Sequence, residues 1–236
     1  IRGPAAEAYG SEAVGGVVNL TTFHPQPLDG PFRIVGGGTV FSYATVNNAF
    51  GVHGDAEGGG GGFGFRVAVN ARHAGSYDTP DGVAHNSDYK DAGGSMNLAY
   101  ALSDAEKLEL SGRVEGVTAG RAGGIGGAPG YPIVTQRDDT LQVRMGRLAY
   151  SGDYSGGLFS HVDADVFVDD FYGKIPSANR GNPTKTTYSS SYVVGPPTLG
   201  GNVLGIFPGA AVATMVGTDF FYEMRPSGSQ SFQESA

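Results

Sequence analysis

Five histidines (His24, His53, His73, His85 and His161) and a run of carboxylates (Asp163, Asp165, Asp169 and Asp170) are the residues of this chain best suited to chemistry. No two of the histidines stand at the spacing of paired metal ligands, and each reads as a solvated side chain. The carboxylates would suit a hard cation, but the run lacks the glycine turn and loop spacing of a calcium site. Three of its members instead fall on the polar parity of an alternating stretch. Gly59-x-Gly61-x-x-Gly64 matches a dinucleotide fingerprint only because five consecutive glycines match it trivially. A strand follows it, not a helix whose N-terminus could hold pyrophosphate. There is no GxxxxGK[ST], HExxH or GxSxG, and no carboxylate pair is set apart for glycoside hydrolysis. The chain reads as a non-enzyme with no metal and no cofactor.

Binding chemistry is better represented. SYDTPDGVAHNSDYKD (76–91) and GRAGGIGGAPGYPIVTQRDD (120–139) mix aromatic, acidic and guanidinium side chains. Both read as loops, and loops on a rigid scaffold are where recognition concentrates. Tyr77, Asp78, His85, Tyr89, Arg121 and Tyr131 are the ligand-contact candidates.

The elements that must hold these loops are strands. Phe63, Phe65, Val67, Val69 and Ala71 alternate with Gly64, Arg66, Ala68 and Asn70. Leu108, Leu110, Gly112, Val114 and Gly116 alternate with Lys107, Glu109, Ser111, Arg113 and Glu115, and Val162, Ala164, Val166 and Val168 oppose His161, Asp163, Asp165, Phe167 and Asp169. This period of two predicts about nine strands, near 32–43, 47–57, 63–75, 88–102, 107–119, 139–151, 158–173, 198–207 and 211–224. They are about 9–15 residues long, against roughly 5–6 in soluble proteins and about 9–11 for a strand that crosses a membrane. Short connections (58–62, 103–106, 152–157, 208–210) interleave with long ones (76–87, 120–138, 174–197), as in a transmembrane barrel. Aromatics gather at strand ends: Phe63, Tyr100, Tyr150 and Phe159 by short turns, and Tyr77, Tyr89, Phe171, Tyr172, Phe220 and Tyr222 by long loops. Arg66, Arg72, Lys107, Arg113 and Arg144 are all read on polar parities.

Composition sets limits. Charged residues make up 16% of the chain, with 23 acidic against 15 basic, for a net charge of −8. That balance excludes nucleic acid as a partner, because phosphate binding needs a basic face. With no cysteine there is neither a disulfide framework nor a thiolate metal site. The most apolar stretch, 203–217, is too short for a membrane helix and is broken by Pro208-Gly209.

The opening, IRGPAAEAYGSEAVGGVVNLTT, carries the most specific signal. Arg2-Gly3-Pro4, Tyr9-Gly10, Ala13, Gly15-Gly16-Val17-Val18-Asn19 and Thr22 closely resemble the end of the plug domain of TonB-dependent outer-membrane receptors. The match covers some 22 residues and is followed, as in that family, by a linker and long alternating strands. The resemblance implies an all-β chain: the end of a plug (1–22), a linker (23–31), and the first part of a partial antiparallel transmembrane β-barrel (32–236), about nine strands of a larger barrel. In this reading Arg2, Gly3, Pro4, Tyr9, Gly10, Gly15, Gly16 and Asn19 are structural plug residues that occlude the bore, and the chain is part of a longer protein. It further implies location in the bacterial outer membrane and contact with its lipid. It implies a nutrient ligand (ferric siderophore, haem, cobalamin or glycan) at the outside, and coupling to the inner-membrane TonB complex through other parts of the plug. The rival expectation is a soluble, secreted β-sandwich binding module, which would share the alternation by packing one face of each strand into a core.

Overall fold

The computed structural model describes residues 24–80, 82–121, 134–182, 185–194, 197–209, 212–224 and 228–235, with backbone alone over 134–137, 175–182, 185–194 and 228–235. Among these residues the chain is almost wholly β and contains no α-helix, its one helical element being a 3₁₀ turn at Thr45–Asn47. Eleven strands form one antiparallel sheet: β1 (Arg33–Ala44), β2 (Ala49–Gly60), β3 (Phe63–Ala74), β6 (Tyr89–Ser103), β7 (Glu106–Arg121), β8 (Val134–Asp153), β9 (His161–Asn182), β10 (Lys185–Val194), β11 (Thr198–Phe207), β12 (Thr214–Glu223) and β13 (Gly228–Ser235). A separate two-strand hairpin, β4 (Asp78–Thr79) and β5 (Gly82–Val83), sits in the β3–β6 connection.

The order is an up-and-down meander, β1-β2-β3-β6-β7-β8-β9, which then divides. β9 is 22 residues long. Its first half pairs with β11 (Thr198↔Asp169 through Ile206↔His161) and its second half with β10 (Val194↔Tyr172 through Lys185↔Asn182). β12 then pairs with β11, and β13 with β10. The eleven strands therefore make nine ribbons, since β10 and β11 run in one direction as a single broken ribbon and β12 and β13 as another. Among the described residues β1 and the last ribbon do not pair with each other, so the sheet is open.

Local chemistry explains the turns. β2 and β3 are joined by Gly61 and Gly62, with φ of +62° and +79°. Two central residues with positive φ define the hairpin turn that matches strand twist, and only glycine takes both positions without strain. β1 turns into β2 through Asn48 in the left-handed region (φ 47°), a conformation asparagine tolerates.

The expected long connection at 174–197 is instead an extension of the sheet. β9 continues to Asn182, and β10 returns along it. The sequence there is polar and carries no alternation of the kind that marks the lower strands, so periodicity could not find it. The 120–138 connection is likewise shortened, because β7 runs to Arg121 and β8 begins at Val134.

The register sorts the side chains. Directly paired residues of an antiparallel ladder share a face, so rows can be followed across the sheet. One row runs Phe63–Tyr100–Leu108–Tyr150–Ala164–Val203. Two steps along each strand lies Phe65–Leu98–Leu110–Leu148–Val166, and next Val67–Met96–Gly112–Gly146–Val168. The opposite face carries Asp55–Ala68–Ser95–Arg113, Glu57–Arg66–Asn97–Ser111–Arg147 and Gly59–Gly64–Ala99–Glu109–Ala149–Asp165–Asn202. The sheet therefore has an apolar face and a polar face, and no second layer covers either among the described residues. Val69 (63% exposed), Val114 (57%) and Phe220 (54%) of the apolar face are open, and the strand residues Ala74 and Ala99 are buried.

Two expectations of parity need correction. Arg144 pairs with Val114 and Asp170, which puts it on the apolar face and not with the other cations. In LQVRMGRLAY (141–150), apolar residues occupy both parities, so the sequence alone does not choose. Tyr89 and Phe171 pair with Ala74 and Val143, on the polar face. The aromatic rim at the long-loop end of the apolar face is made instead by Tyr43, Phe50 and Tyr172.

Candidate functional site: the polar face and the lobe above it

The polar face is a lattice of ion pairs, some between strands and some along one strand. Asp91, 4% exposed, accepts from Arg72 Nε at 2.7 Å and from Asn70 Nδ2 at 3.0 Å. The Arg72 guanidinium also lies 5.6 Å from the centre of the Tyr89 ring, within cation–π range. Asp165 Oδ2 accepts from Arg147 Nη2 and Asn202 Nδ2, both at 2.7 Å, which joins β8, β9 and β11. Arg66 lies 3.5 Å from Asp55, Lys107 Nζ 2.8 Å from Glu109, and Arg113 donates to Glu115. Alternation puts these residues on one face, and opposite charges on neighbouring strands satisfy one another there.

The chain enters the sheet across this same face. His24 Nδ1 sits 2.9 Å from Glu109 Oε2. Pro25 is buried, and Leu28 bridges to Phe63, with Leu28 N donating to Phe63 O at 3.2 Å and Gly62 N to Leu28 O at 2.9 Å. Gly64 makes this crossing possible, because a Cβ there would overlap the carbonyl of Gln26. Its neighbour Ala99 is 1% exposed. Beside the crossing is a cavity of about 920 Å³ bordered by His24, Lys107, Glu109, Arg147, Asp165 and Asn202, among others.

The β3–β6 connection forms a small ordered lobe. Ala84 N donates to Tyr77 O at 2.9 Å, Tyr77 N to Ser87 Oγ at 3.0 Å, and Thr79 Oγ1 to Gly82 O at 2.7 Å. Asn86 Nδ2 donates to Arg121 O at 3.0 Å and Gly120 N to Asp88 O at 2.8 Å, which ties the lobe to the end of β7. Tyr77, Asp78 and His85 are brought together in this lobe with their side chains exposed. Tyr89 and Arg121 are not free loop residues. Tyr89 packs against Arg72 on β6, and Arg121 grips Asp138 with two bonds of 3.1 and 2.7 Å. Tyr131 and the plug-like residues Arg2, Gly3, Pro4, Tyr9, Gly10, Gly15, Gly16 and Asn19 lie outside the described residues.

Two clusters mark the short-turn end, beyond the Tyr100–Leu108–Tyr150 row. Glu106 accepts from Tyr150 (2.6 Å), Tyr154 (3.2 Å) and Ser103 (3.2 Å), and these hydroxyls, Tyr150 first, hold its carboxyl below the ordinary glutamate value. His161 lies 2.7 Å from Asp153 and 2.9 Å from Asp163, and hydrogen bonding to Asp153 and then Asp163 raises its pKa. No group of three or more metal-ligating side chains occurs among the described residues.

The reading from sequence named His24, Glu109 and Asp165 without making them site candidates, and it did not name Arg147 or Asn202. The available signal was parity: Arg147 sits two positions from Ala149 and five from Gln142, so its face could be assigned only with the β8 register in hand. No protein-family model matches the chain, and no curated protein matches it.

Proposed function

We propose that this chain is a wall segment of a TonB-dependent outer-membrane receptor, preceded by the end of its plug, and that it takes part in energy-coupled uptake of a scarce nutrient. The observation that carries this reading is the sorting of side chains by face. The apolar rows are open on one side, the ion-paired rows lie on the other, and the entering segment His24–Leu28 lies on the ion-paired side. Residues 1–22, with their plug-like motif, are thus joined to the sheet on the face that a barrel would turn toward its bore. From Phe63 to Ala71 the apolar face spans eight residue steps, about 27 Å along the strand, comparable with the roughly 25 Å apolar band of outer-membrane barrels. Phe63, Tyr100 and Tyr150 supply one aromatic girdle, and Tyr43, Phe50 and Tyr172 the other.

In this reading the membrane lipid contacts the apolar rows, and the Tyr77–Asp78–His85 lobe stands at the outer mouth and contacts the nutrient. The inner-membrane TonB complex acts through the plug, and no bond of the substrate is broken. A soluble β-sandwich would cover one face with a second sheet, and the open apolar face argues against it.

The chain has no cysteine, which makes labelling simple. Single cysteines at Val67, Met96 or Leu110 and at Ala68, Asn97 or Ser111 would be introduced into the complete receptor that contains this chain, in lipid vesicles. A membrane-soluble maleimide should label the first set, and a charged maleimide only the second. Equal labelling of both sets by the charged reagent would end the membrane-wall reading.

A further inference from the structure

The apolar face changes character at its long-loop edge. Above Val69 and Val114 the rows become Ala71–Ala92–Gly116–Gln142–Tyr172 and then His73–Lys90–Thr118. Ala92 and Gly116 pair directly and leave a dent of about 510 Å³, rimmed by His73, Lys90 and Thr118. Arg72 and Asp91 also border it, but they are committed to each other at 2.7 Å. Lys90 has no ion pair among the described residues, and its side chain is exposed. Two further cations lie on this face, each balanced by an acid: Arg144, in the Val114 row and 3.9 Å from Asp170, and Lys174, 3.8 Å from Asp139. Lys90 is therefore the cation with charge to give, and it stands where apolar side chains end.

We propose that this dent, centred on Lys90, is a binding site for the phosphate of a membrane lipid headgroup. The assignment rests on the membrane-wall reading. The lipid's acyl chains would lie on Val69, Met96 and Val114, while its phosphate meets the Lys90 ammonium; the Thr118 hydroxyl on the rim already donates to Asp139 O at 2.9 Å. The small side chains of Ala92 and Gly116 let the headgroup approach the sheet. A lipid phosphate, and not free phosphate, is the occupant because the site offers one uncommitted ammonium, too little for a fully hydrated anion, and adjoins the apolar rows directly. A cation at a membrane surface contributes about a fivefold preference for an anionic lipid.

The test uses the complete receptor that contains this chain, because an open sheet edge cannot stand in lipid, reconstituted in phosphatidylcholine vesicles with a trace of nitroxide-labelled phosphatidic acid or labelled phosphatidylcholine. The protein-bound fraction is read by electron spin resonance, and insertion is read separately by protease protection. The unaltered chain should prefer phosphatidic acid. Lys90→Gln should lower that preference about fivefold. Lys107→Gln, which removes the same charge from the polar face, should leave it unchanged, and inorganic phosphate should lower it no further than sodium chloride of equal ionic strength does by screening. Insertion with no preference, or an equal loss in Lys90→Gln and Lys107→Gln, overturns the site and leaves the wall reading standing. Failure to insert overturns both.

Discussion

Val67 and Ala68 are neighbours in β3 whose side chains leave the sheet on opposite sides, and placing a lysine at each in turn separates a lipid-facing wall from a water-exposed sheet. Val67 belongs to the Val67–Met96–Gly112–Gly146–Val168 row. That row is four residues from the Phe63–Tyr100 girdle, about 14 Å along the strand and close to mid-band once the strands tilt. Lysine at such a depth costs about 2–4 kcal/mol, or roughly a 30- to 1,000-fold shift toward the unfolded chain. Ala68 pairs with Asp55 and Ser95 on the polar face, so a lysine there gains a carboxylate neighbour and should cost less than about 0.5 kcal/mol, as exposed substitutions do. Urea unfolding of the complete barrel that contains this chain, in lipid vesicles, gives the comparison. It should be followed by circular dichroism, because the chain has no tryptophan to report by fluorescence. Equal costs for Val67→Lys and Ala68→Lys, or a cost below about 0.5 kcal/mol at Val67, would refute the reasoning.

Gly64→Val should displace the entering segment from the polar face, because any Cβ there overlaps Gln26, and limited proteolysis should cut near His24–Leu28 sooner than in the unaltered chain. Asp91→Ala removes the acceptor shared by Arg72 and Asn70 and should cost about 1–2 kcal/mol in the same unfolding assay, below the full value of a buried pair because Arg72 is 57% exposed. His161 has a raised pKa in the folded chain. Its contribution to stability is therefore complete below the unfolded value of about 6.5 and is lost as pH rises through the folded value. The unfolding midpoint should fall across that window, and His161→Gln should abolish the fall.

Much of the lower sheet could be read from the sequence because two constraints coincide there. Leu108, Leu110 and Val114 repeat at every second position, and Lys107, Glu109 and Arg113 fill the gaps, so strand, face and register all follow from one pattern. The turn at Gly61-Gly62 is legible for the same reason, since only glycine meets its dihedral demands. Arg144 failed that reading because Leu141, Val143 and Met145 put apolar residues on the polar face, and only pairing with Val114 and Asp170 assigns its side. β10 and β13 were invisible because backbone pairing to β9 and to each other asks for no particular side chain. In the site, the lobe residues Tyr77, Asp78 and His85 were found by composition. The Arg147–Asp165–Asn202 junction joins positions 18 and 37 residues apart and exists only once three strands are aligned.

β10 ends at Val194 and β11 begins at Thr198, while on the neighbouring ribbon β12 ends at Glu223 and β13 begins at Gly228. Pro197 offers no N–H to a ladder, and its carbonyl accepts from Met224 N at 2.9 Å. Beyond β9 the described strands therefore form two storeys, β11 with β12 below and β10 with β13 above, each paired to its own half of β9. The upper storey can lengthen, shorten or change its residues without shifting the register of the lower one, which leaves the rim free to diversify above a fixed palisade.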